Sequence, residues 1–148
     1  MKNIKAAIAV FIMFISSVAF ASETYSTPVL RGYDAVSYHT IGRPVMGNGS
    51  HVSQYNGEVY LFITKENKNT FDQNPEKYAP AYGGWCAFGV TAGKKFHGDP
   101  LVWEIVDGKL YVNLNNKVKG LWLQDVPGNI KNADIKWEEI KNKPISSL

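Results

Sequence analysis

Two turn-forming dipeptides, Asn56-Gly57 and Asp107-Gly108, each stand between two short runs of strand-forming residues. Asn-Gly and Asp-Gly suit a type I′ turn, in which both central residues need positive φ, and that turn matches the twist of a hairpin. Val52–Tyr55 with Val59–Ile63, and Val102–Val106 with Lys109–Asn113, are therefore read as two β-hairpins. In the second, Trp103 and Ile105 alternate with Val102, Glu104 and Val106, which turns one face toward a core.

Helix signals fill the remaining chain. Asp34 is placed to cap Ala35–Ile41, which Gly42 stops with Pro44 just beyond. Thr64 can cap a helix from Lys65 to Asn74, anchored by Phe71 and ended by Pro75. Pro80–Phe96 reads as a glycine-rich loop that enters a short helix near Trp85 and runs to Ala92. Asn116–Gln124 and Ile130–Asn142 read as helices, with Leu121, Trp122, Ile135, Trp137 and Ile140 as buried positions. Ser22–Arg31 reads as an extended lead-in. The expectation is an α+β fold: two hairpins that can join as one small antiparallel sheet, packed with several short helices. No internal repeat, low-complexity tract or linker is apparent, so residues 22–148 read as a single domain.

The first 21 residues read differently. Lys2 and Lys5 precede an apolar run from Ala6 to Phe20, and Ala19-Phe20-Ala21 supplies the small-x-small pattern of a signal-peptidase site. The run is shorter than the roughly 20 residues of a membrane-spanning helix. A cleaved signal peptide at 1–21 and a location outside the cytoplasm, periplasmic or secreted, are expected, with no membrane span once the leader is removed. Without Lys2 and Lys5, 14 basic residues face 13 acidic ones, a net charge of +1. No basic cluster exceeds Lys94-Lys95, which excludes a nucleic-acid binder with a concentrated basic face. All four Trp and all eight Tyr lie beyond the leader and supply ample core material.

Cys86 is the single cysteine, so no internal disulfide can form. It follows Gly83-Gly84 and sits near an expected helix start, where backbone N–H groups stabilise a thiolate. Three readings stay open: a functional thiol, a small buried residue among Tyr82, Trp85 and Phe88, or an intermolecular disulfide. Thiolate, imidazole and thioether are the ligands that copper(I) prefers, and His39, His51, His97 and Met46 are available. No metal-binding spacing joins them. His39 on the first helix and His97 downstream of Cys86 are the first choices to complete a site. A thiol enzyme would need His97 or His39 as base, with Asp34 or Asp99 to orient it, and no recognised catalytic motif is present.

Several separated segments, in order, resemble the YHS-domain family: Gly32–Tyr38, Tyr55–Phe62, Phe71, and Asn74–Tyr78. Tyr82–Phe88, Trp103–Tyr111 and Leu121–Trp137 are similar to the continuation found in exported single-domain members. The hairpin-helix core falls at about 52–78. The resemblance implies a metal-binding module, with copper the first candidate, and a metal ion or a metal-handling protein as partner. In the short modules of copper-transporting ATPases a cysteine pair is thought to bind the metal. The matching positions here are Ile63 and Asn67, so that pair is missing, and His39 replaces an expected aromatic.

Three functions follow as expectations. The first is a non-enzymatic exported metal-binding module, for copper(I), with Cys86 as thiolate ligand and His39 or His97 completing the site. The second is a ligand- or protein-interaction module in which the segment Tyr82–Phe88 holds the partner and Cys86 is packed. The third is a thiol-dependent enzyme.

Overall fold

The computed structural model describes residues 27–148; the leader read over residues 1–21 lies outside them. Both hairpins form. β1 (Asn48–Tyr55) pairs antiparallel with β2 (Glu58–Phe62), and β3 (Asp99–Val106) with β4 (Lys109–Asn113). The turn residues have φ of 52° and 79° at Asn56 and Gly57, and 49° and 75° at Asp107 and Gly108, as a type I′ turn requires. β1 and β3 begin earlier than the hydrophobic pattern indicates. Each carries a register shift, between Asn48 and Val52 and between Asp99 and Trp103, which interrupts the alternation of side chains.

The hairpins do not join into one sheet. β3–β4 is instead covered on both faces. Leu110 and Val112 enter a core with Val36, Tyr38, Phe62 and Phe71, whereas Tyr111 between them enters a second core with Tyr82, Val90, Trp122 and Ile140. Successive residues of a strand point to opposite sides, so one hairpin serves as the wall between two cores.

Short helices surround the hairpins: α1 (Ser37–Thr40), α2 (Lys65–Gln73), α3 (Pro75–Tyr78), α4 (Ala87–Thr91), α5 (Asn116–Trp122) and α6 (Val126–Ile140). Thr64, Asn74, Asn115 and Asp125 cap α2, α3, α5 and α6, each accepting from the backbone N–H three residues on. α6 begins at Val126 rather than Ile130, because Pro127 sits in its first turn, where a missing N–H costs nothing. Leu121 and Ile135 are exposed, at 40% and 55%, since the stripe Trp122, Ala133 and Ile140 faces the core. The lead-in is not extended either: Val29–Gly32 forms a 3₁₀ turn with Val29 and Leu30 buried.

The chain is built from two similar units in tandem. The turn Val29–Gly32 has positive φ at Leu30, Arg31 and Gly32, and the turn Ala81–Gly84 has positive φ at Tyr82, Gly83 and Gly84. Bridges Tyr33–Met46 and Trp85–His97 follow at matching places. The N–H of Asp34 donates to Val45 O, and that of Cys86 to Phe96 O, both at 2.8 Å. Gly47 and Gly98 then allow close backbone approach: an added Cβ would lie 2.6 Å from Leu61 O in the first case and 2.7 Å from Gly84 O in the second. The hairpin registers coincide as well, Asn48 opposite Phe62 and Asp99 opposite Asn113. After each hairpin a capped helix buries one large ring, Phe71 in α2 and Trp122 in α5. Matching residues are separated by 51 or 52 positions along the chain.

The units differ in what covers their first helix. Tyr38 of α1 packs edge-on against Trp103 at 5.3 Å and donates from its hydroxyl to Pro100 O, so the second hairpin covers the first unit. Among the described residues no third unit covers α4; α6 packs there, with Val90 and Ala133 sharing one core. α6 thus takes the place against α4 that the second hairpin holds against α1.

Candidate functional site

Cys86 is buried, with 1% exposure, at the N-cap of α4. Its Sγ accepts from Gly89 N at 3.4 Å and from Leu114 N at 3.3 Å, and its thiol faces Asn113 Oδ1 at 3.7 Å. That oxygen also accepts from Phe88 N at 3.1 Å, so Asn113 ties the start of α4 to the end of β4. The sulfur therefore has its hydrogen-bonding capacity filled from within the fold. Asn113 is fully buried and its Nδ2 has no partner among the described residues.

Asp34 stands at the matching place in the first unit. It too is buried; Oδ1 accepts from Val36 N at 2.8 Å and Ser37 N at 3.3 Å, and Oδ2 accepts from Ile63 N at 3.0 Å and Asn67 Nδ2 at 2.7 Å. Ile63 and Asn67 are the positions where the cysteine pair of the short modules would stand. Here they hold a carboxylate by hydrogen bonds. Their counterparts in the second unit are Leu114 and Val118, and Leu114 N donates to Cys86 in the way that Ile63 N donates to Asp34. Cys86 thus stands where the first unit has Asp34, the acceptor that those two positions contact, and at neither position of the pair.

The histidines do not converge on it. His39 is half-buried on α1, edge-on to Tyr78 at 5.3 Å, with its Nε2 buried and unpartnered among the described residues. Burial, reinforced by the charges of Lys77 and Lys109, holds its pKa below the ordinary 6.5. His97 lies beside Cys86 in chain pairing, through the Trp85–His97 bridge, but its exposed ring stacks on Trp85 at 4.7 Å and an interplanar angle of 34°. Among the described residues no three His, Cys, Asp or Glu side chains are grouped to hold a metal ion.

A cleft of about 800 Å³ opens instead over the turn that precedes Cys86. Tyr82 and Trp85 from that turn, Tyr55 and Tyr60 from the first hairpin, and Trp137 from α6 provide its aromatic surface. Tyr82 and Trp137 meet at 5.8 Å, and the Tyr82 hydroxyl donates to Asp134 Oδ1 at 2.9 Å, which fixes the ring against α6. Lys95 reaches in from the loop after α4 and Lys109 from the start of β4, and burial lowers the pKa of both. Burial raises the pKa of Tyr60 and of Tyr82, so both phenols are neutral donors at physiological pH. Only the Tyr82–Trp85 part of this surface was legible as a ligand segment. Tyr60, Lys95, Lys109 and Trp137 come from four separate stretches of chain, and no local pattern joins them.

Among the described residues no helix is long and apolar enough to cross a membrane. No curated protein and no solved structure gives a significant match to the chain. A family model, described as the YHS domain, matches residues 36–82. The match runs from α1 through the first hairpin, α2 and α3 to Tyr82, and it stops before the second hairpin. The first of the two structural units, with the turn that follows it, is therefore the part of the chain that is similar to the YHS domain.

Proposed function

We propose that this protein is a non-enzymatic binding module whose ligand sits in the aromatic cleft over Tyr82–Trp85, with Cys86 acting as a structural cap beneath it. The observation that carries the reading is the cleft itself. Its volume lies in the range of small-molecule sites, about 300–1,000 Å³, and it opens between the two units, a preferred place for such sites. The leader read over residues 1–21 supports a site of action outside the cytoplasm.

A metal-binding reading is the second. It is supported by the YHS match and by the thiol of Cys86, which contacts Leu114, the second unit's counterpart of Ile63, one position of the family's cysteine pair. Copper(I) would take Cys86 as thiolate ligand, with His39 or His97 joining it. The sulfur would first have to give up the N–H bonds from Gly89 and Leu114, and each imidazole would have to leave its present aromatic neighbour.

Copper(I) titration against a competing chelator, under anaerobic reducing conditions, separates the two. The cleft reading expects the wild type and Cys86→Ser to compete equally poorly. Tight one-to-one binding that Cys86→Ser abolishes would establish the metal reading in its place.

A further inference from the structure

We infer that the cleft selects a planar aromatic molecule bearing a carboxylate. The inference rests on the cleft reading above and adds the chemical class of the ligand. The walls set the first half of the requirement. The rings of Tyr82, Trp85 and Trp137 present flat apolar area, and an aromatic ligand gains offset or edge contacts with such rings beyond its area burial.

The lysines set the second half. Lys95 Nζ donates to Lys141 O and Lys143 O, both at 2.8 Å, and lies 6.0 Å and 5.5 Å from the ring centroids of Trp85 and Trp137. Lys109 Nζ donates to Glu76 O at 2.8 Å. An ammonium carries three donors, so Lys95 keeps one and Lys109 keeps two. Neither forms an ion pair with a carboxylate among the described residues, although both are partly buried. The acidic residues of the cleft, Glu58 and Glu76, are exposed at its rim; the charge of Glu76 acts on Lys109 without forming an ion pair with it. Lys141, also at the rim, is paired with Glu138. Inside the cleft the unsatisfied charge is therefore positive, held beside aromatic surface. A carboxylate attached to a planar ring meets both, while the Tyr60 hydroxyl offers a further donor.

The test uses the full-length protein, labelled so that the indole N–H signals of its four tryptophans are resolved by NMR. The probes are indole-3-acetate, indole-3-acetamide and tryptamine, which share one ring and differ in charge. Indole-3-acetate is expected to shift the Trp85 and Trp137 signals and leave Trp103 and Trp122 in place. Its affinity should exceed that of the amide at least tenfold, with tryptamine weakest. Lys95→Met and Lys109→Met should each weaken the acid about fivefold or more and shrink the acid-to-amide ratio, whereas Lys119→Met, paired elsewhere with Glu104, should change nothing. An amide or amine that binds the two cleft tryptophans as tightly as the acid would overturn the carboxylate inference and leave the cleft reading standing. If none of the three probes moves Trp85 or Trp137, both fall.

Discussion

Asp34 and Cys86 stand two residues after equivalent positive-φ turns, and each accepts from the backbone N–H three residues on, Ser37 at 3.3 Å and Gly89 at 3.4 Å. Each also accepts from the N–H that follows its own hairpin, Ile63 or Leu114. The same junction of turn, helix start and hairpin end is thus tied by a carboxylate in one unit and by a sulfur in the other. A buried junction of this kind needs an acceptor at its centre, because several backbone donors would otherwise be stranded.

Asp34→Ala should therefore destabilise the fold by roughly 3 kcal/mol or more, since it strands the N–H groups of Val36 and Ile63 and the Asn67 amide together. Cys86→Ala removes a weaker acceptor and should cost less, about 1–2 kcal/mol. Urea unfolding of both variants checks the order. A smaller loss for Asp34→Ala than for Cys86→Ala would remove the equivalence of the two junctions.

The two units also predict paired effects at glycine. Gly47→Ala would push a Cβ against the Leu61 backbone, and Gly98→Ala against Val112 and the Gly84 carbonyl, so each should cost about 1–3 kcal/mol. Gly120, inside α5 with open space around its missing Cβ, behaves oppositely: Gly120→Ala should stabilise by about 0.5–1 kcal/mol. Thermal denaturation of the three variants reads both signs. A neutral Gly98→Ala would mean that the second unit does not need this close approach.

The hairpins and the caps were readable because their signals are local. Asn56-Gly57, Asp107-Gly108 and Thr64 each act within a few residues of their own position, whereas Asp34 also holds Ile63 and Asn67, and the first helix is Ser37–Thr40 with Val36 at its N-cap. The tandem repeat was not readable, because the units share backbone conformation and few side chains. Gly57 and Tyr60 match Gly108 and Tyr111, but Asp34 becomes Cys86 and Phe71 becomes Trp122. Positive φ at Leu30, Arg31 and Tyr82 leaves no mark in the residue types, since all three ordinarily avoid it. The missed start of α6 has the same origin: Pro127 reads as a breaker until Asp125 is seen to cap the helix. The cleft depends wholly on tertiary placement, which brings Lys109 of β4 beside Glu76 of α3.

His39 gives the fold a pH dependence with a defined sign. Its folded-state pKa lies below the unfolded value of 6.5, so the unfolded chain binds more protons near that pH. The contribution of neutral His39 is complete above 6.5 and is lost as pH falls below it, until the lowered folded pKa is passed. His39→Phe keeps the edge-on contact with Tyr78 and removes the proton. The urea midpoint of the variant should fall less than that of the wild type between about pH 7.5 and about pH 5. Equal slopes would exclude His39 as the source.

The most direct test of the account is the rate at which an aromatic disulfide reagent labels Cys86 in the native protein, compared with the rate in urea. Cys86 is 1% exposed and holds the junction of α4 and β4, so labelling should require opening of the fold. The native rate should then be lower by orders of magnitude and rise in Asp34→Ala by about tenfold for each 1.4 kcal/mol of stability lost. Native labelling as fast as that of the unfolded chain would contradict the structural role of Cys86 and return the thiol to the centre of the function.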